Sequence, residues 1–318
     1  MFFSMRSSFI EVNLNHLGHN LALIRKHTNN RPVMAVVKSN AYGHGILEIA
    51  KFFEKLKVHS LGVALLEEGI FLREEGINLP IVVFGGVIRN QISQYVDWEL
   101  EFFVSSIDAL RITEKICKSI SKKATVHLKI DTGMGRIGEM ISRSEKFFKE
   151  AVKKKHIKIK GVCSHLACAD DPDNTMTIRQ INSFLRAISV FDRFGLEVPL
   201  RHIANSGGVL YFPESHLDMI RPGILLYGVY PELTSPRILD VRPVLNLKSH
   251  VSFHKSIPKG FSVSYGATWT ANKDTEISTI PIGYGDGYRR HFSNRGKVLI
   301  GGKPRSIVGR VCMDQFMV

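Results

Sequence analysis

The chain has 318 residues, with 43 Lys+Arg against 29 Asp+Glu for a formal net charge of +14, and it is 44% apolar and 23% charged. These proportions are those of an ordinary globular protein, which excludes a disordered tail and a collagen-like repeat and leaves ample material for a core. No apolar run approaches the ~18 residues that cross a bilayer, and Arg6 interrupts the start where a signal peptide needs an apolar stretch, so a soluble, cytosolic protein is expected.

In chain order, FIEVNL (9–14) reads as a strand that belongs with the C-terminal part of the chain. Eight β-rich runs follow: RPVMAVVK (31–38), SLGVAL (60–65), PIVVFGG (80–86), LEFFVSS (100–106), ATVHLKI (124–130), IKIKGVCSHL (157–166), PLRHIAN (199–205) and HLDMI (216–220). Between them lie amphipathic stretches such as ILEIAKFFEKL (46–56) and TIRQINSFLRAISVFDRFG (177–195), apolar at three- and four-residue spacing. This alternation predicts an α/β fold, a parallel (β/α)8 TIM-type barrel. A doubly wound open sheet is the alternative, but no GxGxxG follows the first strand. After Gly228 the texture changes: PELTSPRILDVRP (231–243) reads as a linker, and 241–318 carries β-branched runs broken by Gly and Pro. The expected domains are a barrel over 8–235 and a mainly-β domain over 236–318.

The lysine-rich stretch KFFKEAVKKKHIKIK (146–160) alternates with apolar positions and reads as a solvated face; no aromatic-interleaved basic patch points to nucleic acid. Cys117, Cys163, Cys168 and Cys312 are too few for a disulfide scaffold. Cys163, His165 and Cys168 lie close together, but no second Cys/His pair completes four ligands, so reduced thiols rather than a metal site are expected.

In such a barrel, chemistry sits at the C-terminal ends of the strands. Lys38 closes the first run, DTGMGR (131–136) follows the fifth, His165 ends the sixth, NSGG (205–208) follows the seventh and Arg221 the eighth. A lysine at a strand end is ordinarily a solvated charge, but five unusual polar features at one rim point to a site. The NSGG turn, the Ser206 hydroxyl and the backbone around Gly223 and Ile224 offer an anion cradle after strands seven and eight. A strand-end lysine opposite a phosphate cradle suggests pyridoxal 5′-phosphate, whose aldehyde condenses with a lysine amine.

On these residues the chain resembles a known family. VVKSNAYGHG (36–45) closely resembles the cofactor-lysine motif of bacterial alanine racemases. LKIDTGMGRIG (128–138), SHLACAD (164–170), HIANSGG (202–208), RPGILLYG (221–228), SYGATW (264–269), GYGDGY (283–288) and VGRVCMDQ (308–315) match the same family in the same order. The resemblance implies a pyridoxal-phosphate barrel followed by a β domain. It implies that Lys38 binds the cofactor, that Tyr42, Ser206, Gly223 and Ile224 surround its phosphate, and that Arg221 faces the pyridine nitrogen. Racemisation removes a proton from one face of Cα and returns it on the other; the resemblance assigns Lys38 to one face and Tyr265, supported by His165, to the other. It further implies that Arg136 and the backbone near Met313 hold the substrate carboxylate, and that Lys129 matches the position carbamylated in some members, where the modified side chain orients Arg136. Tyr265 would serve the site of the other subunit of a homodimer. The implied role is to interconvert L- and D-alanine and so supply D-alanine for peptidoglycan. A broad-specificity amino-acid racemase and a cofactor-binding barrel without turnover are the alternatives. Family members continue beyond the position of Val318, so a shortened β domain is expected.

Overall fold

The computed structural model describes residues 8–194 and 200–318. Pro199 of the seventh run and Gly195 of the long helical stretch lie outside the described residues. The chain divides into two units: Asn13–Val244, and the N-terminal strand together with Leu245–Val318.

The N-terminal strand, β1 (Phe9–Val12), pairs antiparallel with Leu245–Lys248 in the second unit. The first unit is a barrel. Its strands are β2 (Met34–Val36), β3 (Ser60–Val63), β4 (Ile81–Val83), β5 (Glu101–Val104), β6 (Ala124–Asp131), β8 (Ile157–Cys163) and β9 (Arg201–His202), parallel neighbours in that order. A short β7 (Glu139–Met140) hangs on the end of β6 at Ile130 and Asp131. The runs are short, β-branched and buried on both faces, as parallel strands covered by helices must be.

The eighth run, 216–220, does not form a regular strand. It turns at Leu217, whose φ is +44°, and only Ile220 bridges to Val33. The ring is nevertheless laddered on both sides there. Ile220 N–H donates to Pro32 O at 3.0 Å, Met34 N–H to Ile220 O at 2.9 Å and Val36 N–H to Pro222 O at 3.2 Å. On the other flank Asp218 N–H donates to Arg201 O at 3.1 Å and Arg221 N–H to Ala204 O at 3.0 Å. The Asp218 carboxylate also accepts both the backbone N–H and the guanidinium of Arg201, which fixes the turn in place of a longer ladder.

The helices follow from their apolar spacing. Ile46–Lys55 buries Ile46, Ile49, Ala50 and Phe53, and Thr175–Arg193 buries Gln180, Ile181, Phe184, Ile188 and Phe191. Asn174 caps the latter through its side chain on Met176 N–H. Leu14–His27 buries Asn20, whose amide donates to Leu226 O and Arg242 O and accepts from Arg242 N–H at 2.8–2.9 Å. That polar clasp ties the first helix to Gly223–Val244 without leaving an unpaired group in the core. Met34, Val82, Phe103, Cys163 and Met219 pack together within the barrel.

The second unit is antiparallel. Phe253–Ile257, Thr275–Ile280 and Phe316–Met317 form one sheet, and Lys297–Ile300 pairs with Lys303–Ser306. Two apolar clusters fill it, one around Ile257, Val263, Ile277 and Val308, the other around Ile280, Ile307, Val311 and Phe316. No helix among the described residues is long and apolar enough to cross a membrane.

Candidate active site

Directly after β2 the backbone does something rare for L-residues. Ser39, Asn40, Ala41 and Tyr42 all take φ of +53 to +54° with ψ of +35 to +54°, one turn of left-handed helix. Each such residue costs roughly 1–2 kcal/mol relative to the right-handed form, so the turn needs outside support. Glu68 Oε1 accepts Ser39 N–H at 2.6 Å while its Oε2 accepts Ala64 N–H at 2.7 Å and Leu65 N–H at 3.2 Å. Asn40 Oδ1 accepts Ile46 N–H at 2.9 Å, and Ala41 N–H returns to Val37 O at 2.8 Å. The turn places Lys38 and Tyr42 on the wall of one cavity.

That cavity has a volume of about 690 Å³, within the range of small-molecule sites. Lys38, Tyr42, Lys129, Arg136, His165, Ser206, Arg221, Gly223 and Ile224 all line it, with Phe84, Phe103 and Leu166 among the apolar walls. Four cations (Lys38, Lys129, Arg136, Arg221) face one lining carboxylate, Asp170, so the cavity suits an anionic ligand. Part of its wall is built from hydroxyls and backbone. Ser206 Oγ accepts Gly223 N–H at 3.0 Å and Leu225 N–H at 3.3 Å. A Cβ on Gly223 would lie 2.4 Å from the Tyr42 hydroxyl, so only glycine lets that hydroxyl approach the backbone.

The electrostatics follow from burial. Burial, then the Arg136 charge, lowers the Lys38 amine against the opposing pull of Glu68, which favours a nucleophilic or basic lysine. Lys129, only 4% exposed with its Nζ 5.5 Å from the Phe103 ring centroid, is lowered by burial to about 8. Burial and then the Arg221 charge push His165 down to about 2, so its imidazole is neutral. Arg221 is 4% exposed and both its terminal nitrogens have partners: Nη2 donates to Ser164 O at 2.7 Å and Ile203 O at 3.2 Å and lies 3.4 Å from His165 Nδ1. Its Nη1 donates to His202 Nδ1 at 2.7 Å. Asp131 Oδ1 accepts Gly133 and Met134 N–H, both at 2.8 Å, and shapes the loop that carries Arg136.

Tyr265 and Met313 belong to the second unit. Tyr265 opens a short turn, Tyr265–Ala267, and is 67% exposed; Met313 is 57% exposed. The three β-unit motifs converge there: Ser264 Oγ donates to Arg310 O at 2.7 Å, and Met313 O accepts Gly285 N–H at 2.8 Å. Gly283 lies so near that a Cβ would sit 2.1 Å from Met313 O. Sequence reasoning missed Glu68 and His202. Glu68 reads as an ordinary first-turn acid of the helix Leu66–Glu74, and His202 as one residue of an apolar run. Cys163 packs in the barrel core and the Cys168 thiol lies 3.8 Å from the Met176 sulfur. Among the described residues no three His, Cys, Asp or Glu side chains gather as metal ligands.

Two family models match the chain: "Alanine racemase, N-terminal domain" over residues 12–231 and "Alanine racemase, C-terminal domain" over 244–318. The alanine racemase of Carboxydothermus hydrogenoformans is 42% identical over 315 residues, covering 99% of this chain and 85% of the relative. The solved alanine racemase of Clostridium difficile superposes with a TM-score of 0.92 at 36% identity, covering 99% of this chain and 83% of that one. That of Bartonella henselae, solved with covalently bound pyridoxal phosphate, gives a TM-score of 0.89 at 26% identity, covering 98% and 85%.

Proposed function

The chain belongs to the alanine racemase family of isomerases, and from that premise we propose that it interconverts L- and D-alanine by a two-base mechanism with pyridoxal 5′-phosphate held at Lys38. One observation carries the reading: Lys38 and Tyr42 share a strained turn that faces Ser206, Gly223 and Arg221 across a cationic cavity. The residues fit the cofactor. Four cations to one carboxylate match a ligand bearing a phosphate, and the Tyr42 and Ser206 hydroxyls with the glycine backbone at Gly223 form a cradle that a side chain would fill.

When bound, pyridoxal phosphate supplies an electron sink for the pair left as the alanine Cα proton departs. The chain's own residues do the rest. Lys38, its amine lowered by burial, takes or returns the proton on one face. Tyr265 serves the other face. Arg221, which can only donate, would face the pyridine nitrogen, keep it unprotonated and temper the sink. Arg136 and the backbone at Met313 hold the substrate carboxylate; Lys129 repels Arg136 as a free amine and would orient it only once carbamylated, when its terminal carboxylate could accept from the guanidinium. Following the family resemblance, we assign the working form to a homodimer in which Tyr265 completes the partner's site. The product supplies D-alanine for peptidoglycan in the cytoplasm.

The test is D-alanine formation from L-alanine by the purified chain, with and without added cofactor, followed by borohydride reduction and peptide mapping. Conversion that depends on cofactor, with the pyridoxyl label on Lys38, is expected. Label on another lysine, or label on Lys38 with no conversion, overturns the reading.

A further inference from the structure

A file of polar groups threads the interior of the barrel, where packed apolar layers are the rule. From Arg221 at the active-site end it passes to His202, whose Nε2 lies 2.8 Å from His127 Nδ1. His127 Nε2 in turn lies 2.8 Å from Glu101 Oε2. Glu101 is the first residue of β5, so the file ends at the mouth opposite the active site. Both histidines are 0% exposed, and their rings meet edge to face at 4.9 Å.

Donor chemistry fixes the direction of every bond. A guanidinium has no acceptor, so His202 Nδ1 must accept from Arg221 and the His202 proton must sit on Nε2. That N–H donates to His127 Nδ1, which places the His127 proton on Nε2, where only an acceptor can receive it. An ionised carboxylate is acceptor-only. Glu101 meets the requirement: burial raises its carboxyl, but the hydrogen bond from His127 and the Lys160 charge act against that, and the carboxyl is held low. The backbone is shaped around the file. The register of β6 and β8 shifts between Val126 and His127, and a Cβ on Gly161 would lie 2.7 Å from His127 Nδ1.

We propose that Glu101 is a positioning residue for the active site: by accepting from His127 it partners the one tautomer that Arg221 allows, so that His202 keeps its lone pair on Arg221 and holds the guanidinium in its orientation. Every ring nitrogen of the file is partnered, which is the condition under which a buried polar network specifies geometry rather than weakening the core. The mechanistic consequence rests on the reading of Arg221 given above, since that residue is assigned to the pyridine nitrogen.

The first experiment needs no cofactor. Ring-nitrogen NMR of the 15N-histidine-labelled chain, assigned with His127→Asn and His202→Asn, should show both imidazoles neutral with the proton on Nε2. A proton on Nδ1 of either ring overturns the proposal. The second compares Glu101→Leu with Glu101→Gln in the cofactor-loaded enzyme. The Leu variant should lose the single tautomer and drop kcat roughly tenfold, as loss of an outer hydrogen-bond partner does elsewhere, with KM for alanine little changed. The Gln variant, whose amide oxygen still accepts, should restore both. Unchanged ring signals and kcat in the Leu variant, or a Gln variant as impaired as the Leu variant, overturn it. Should the Leu variant fail to fold, the parent's tautomers and the Gln variant decide. Correct tautomers in a chain that does not racemise alanine would overturn the proposed function alone.

Discussion

Glu68 holds the backbone N–H of Ser39 at 2.6 Å, and through its other oxygen it holds the backbone after β3. One carboxylate thus braces two adjacent strand ends and supports the left-handed turn that follows Lys38. Charge-assisted bonds to backbone are worth more than neutral ones, but this one is partly solvated. Glu68→Ala should therefore cost about 1–2 kcal/mol of stability and weaken pyridoxal phosphate binding more than it weakens the fold. Urea denaturation and cofactor titration measure the two. Unaltered cofactor affinity would separate Glu68 from the site.

The turn itself is testable at Ser39, whose side chain is exposed and whose φ is +54°. Ser39→Val changes little packing but puts a β-branched residue where the left-handed form is most costly. Ser39 already carries the general cost of that form, so the added loss from the strained β-branched side chain should be about 0.5–1.5 kcal/mol. Ser39→Gly relieves that strain while adding freedom to the unfolded chain, so its stability should fall close to the parent's. A Val variant as stable as the parent would mean that the turn is not strained.

Much of this was legible in the sequence because its causes are local. Parallel strands buried on both faces read as β-branched runs, and the helices as apolar stripes. Polar residues ending such runs, such as Lys38, His165 and Arg221, stand out for the same reason. What escaped has long-range causes. Nothing in SNAY announces a left-handed turn; Glu68, 29 residues on, imposes it. The eighth run gives way to a turn at Leu217, where Asp218 clasps Arg201 of the neighbouring strand, a pairing between segments that no local pattern announces. His127 and His202 read as parts of apolar strands, since their meeting depends on strand register across 75 residues.

His165 makes a prediction about acid. Above its ordinary value of 6.5 it is neutral both folded and unfolded and contributes no pH dependence. Below that, the unfolded chain binds a proton that the folded chain, with its value near 2, refuses, so stability is lost as pH falls. The slope is about 1.4 kcal/mol per pH unit for each such group. Burial lowers His44, His202 and His216 as well, so the parent's curve sums several groups. His165→Asn should make the fall shallower by one proton's worth. Denaturation midpoints taken from neutral pH down to about pH 4.5 give that difference. Parallel curves would show that His165 is protonated in the folded protein.

The proposed sharing of sites between subunits has an arithmetic consequence. Lys38 lies in the barrel unit and Tyr265 in the β unit, so a dimeric enzyme can draw the two bases from one subunit or from both. Lys38→Ala and Tyr265→Phe should each abolish racemisation. If each site takes Lys38 from one subunit and Tyr265 from its partner, a mixed dimer of the two variants has one site lacking both bases and one site intact. Random reassortment of equal amounts makes half the dimers mixed, so about a quarter of the parent activity should return. If both bases come from the same subunit, every site in every dimer lacks one of them and nothing returns. Mixing after mild dissociation, with activity followed until it plateaus, distinguishes the two. Tyr265→Phe should also keep its pyridoxal phosphate, because no part of the phosphate cradle is touched. A mixture that stays inactive while both variants bind cofactor and exchange subunits would place Tyr265 in the site of its own chain.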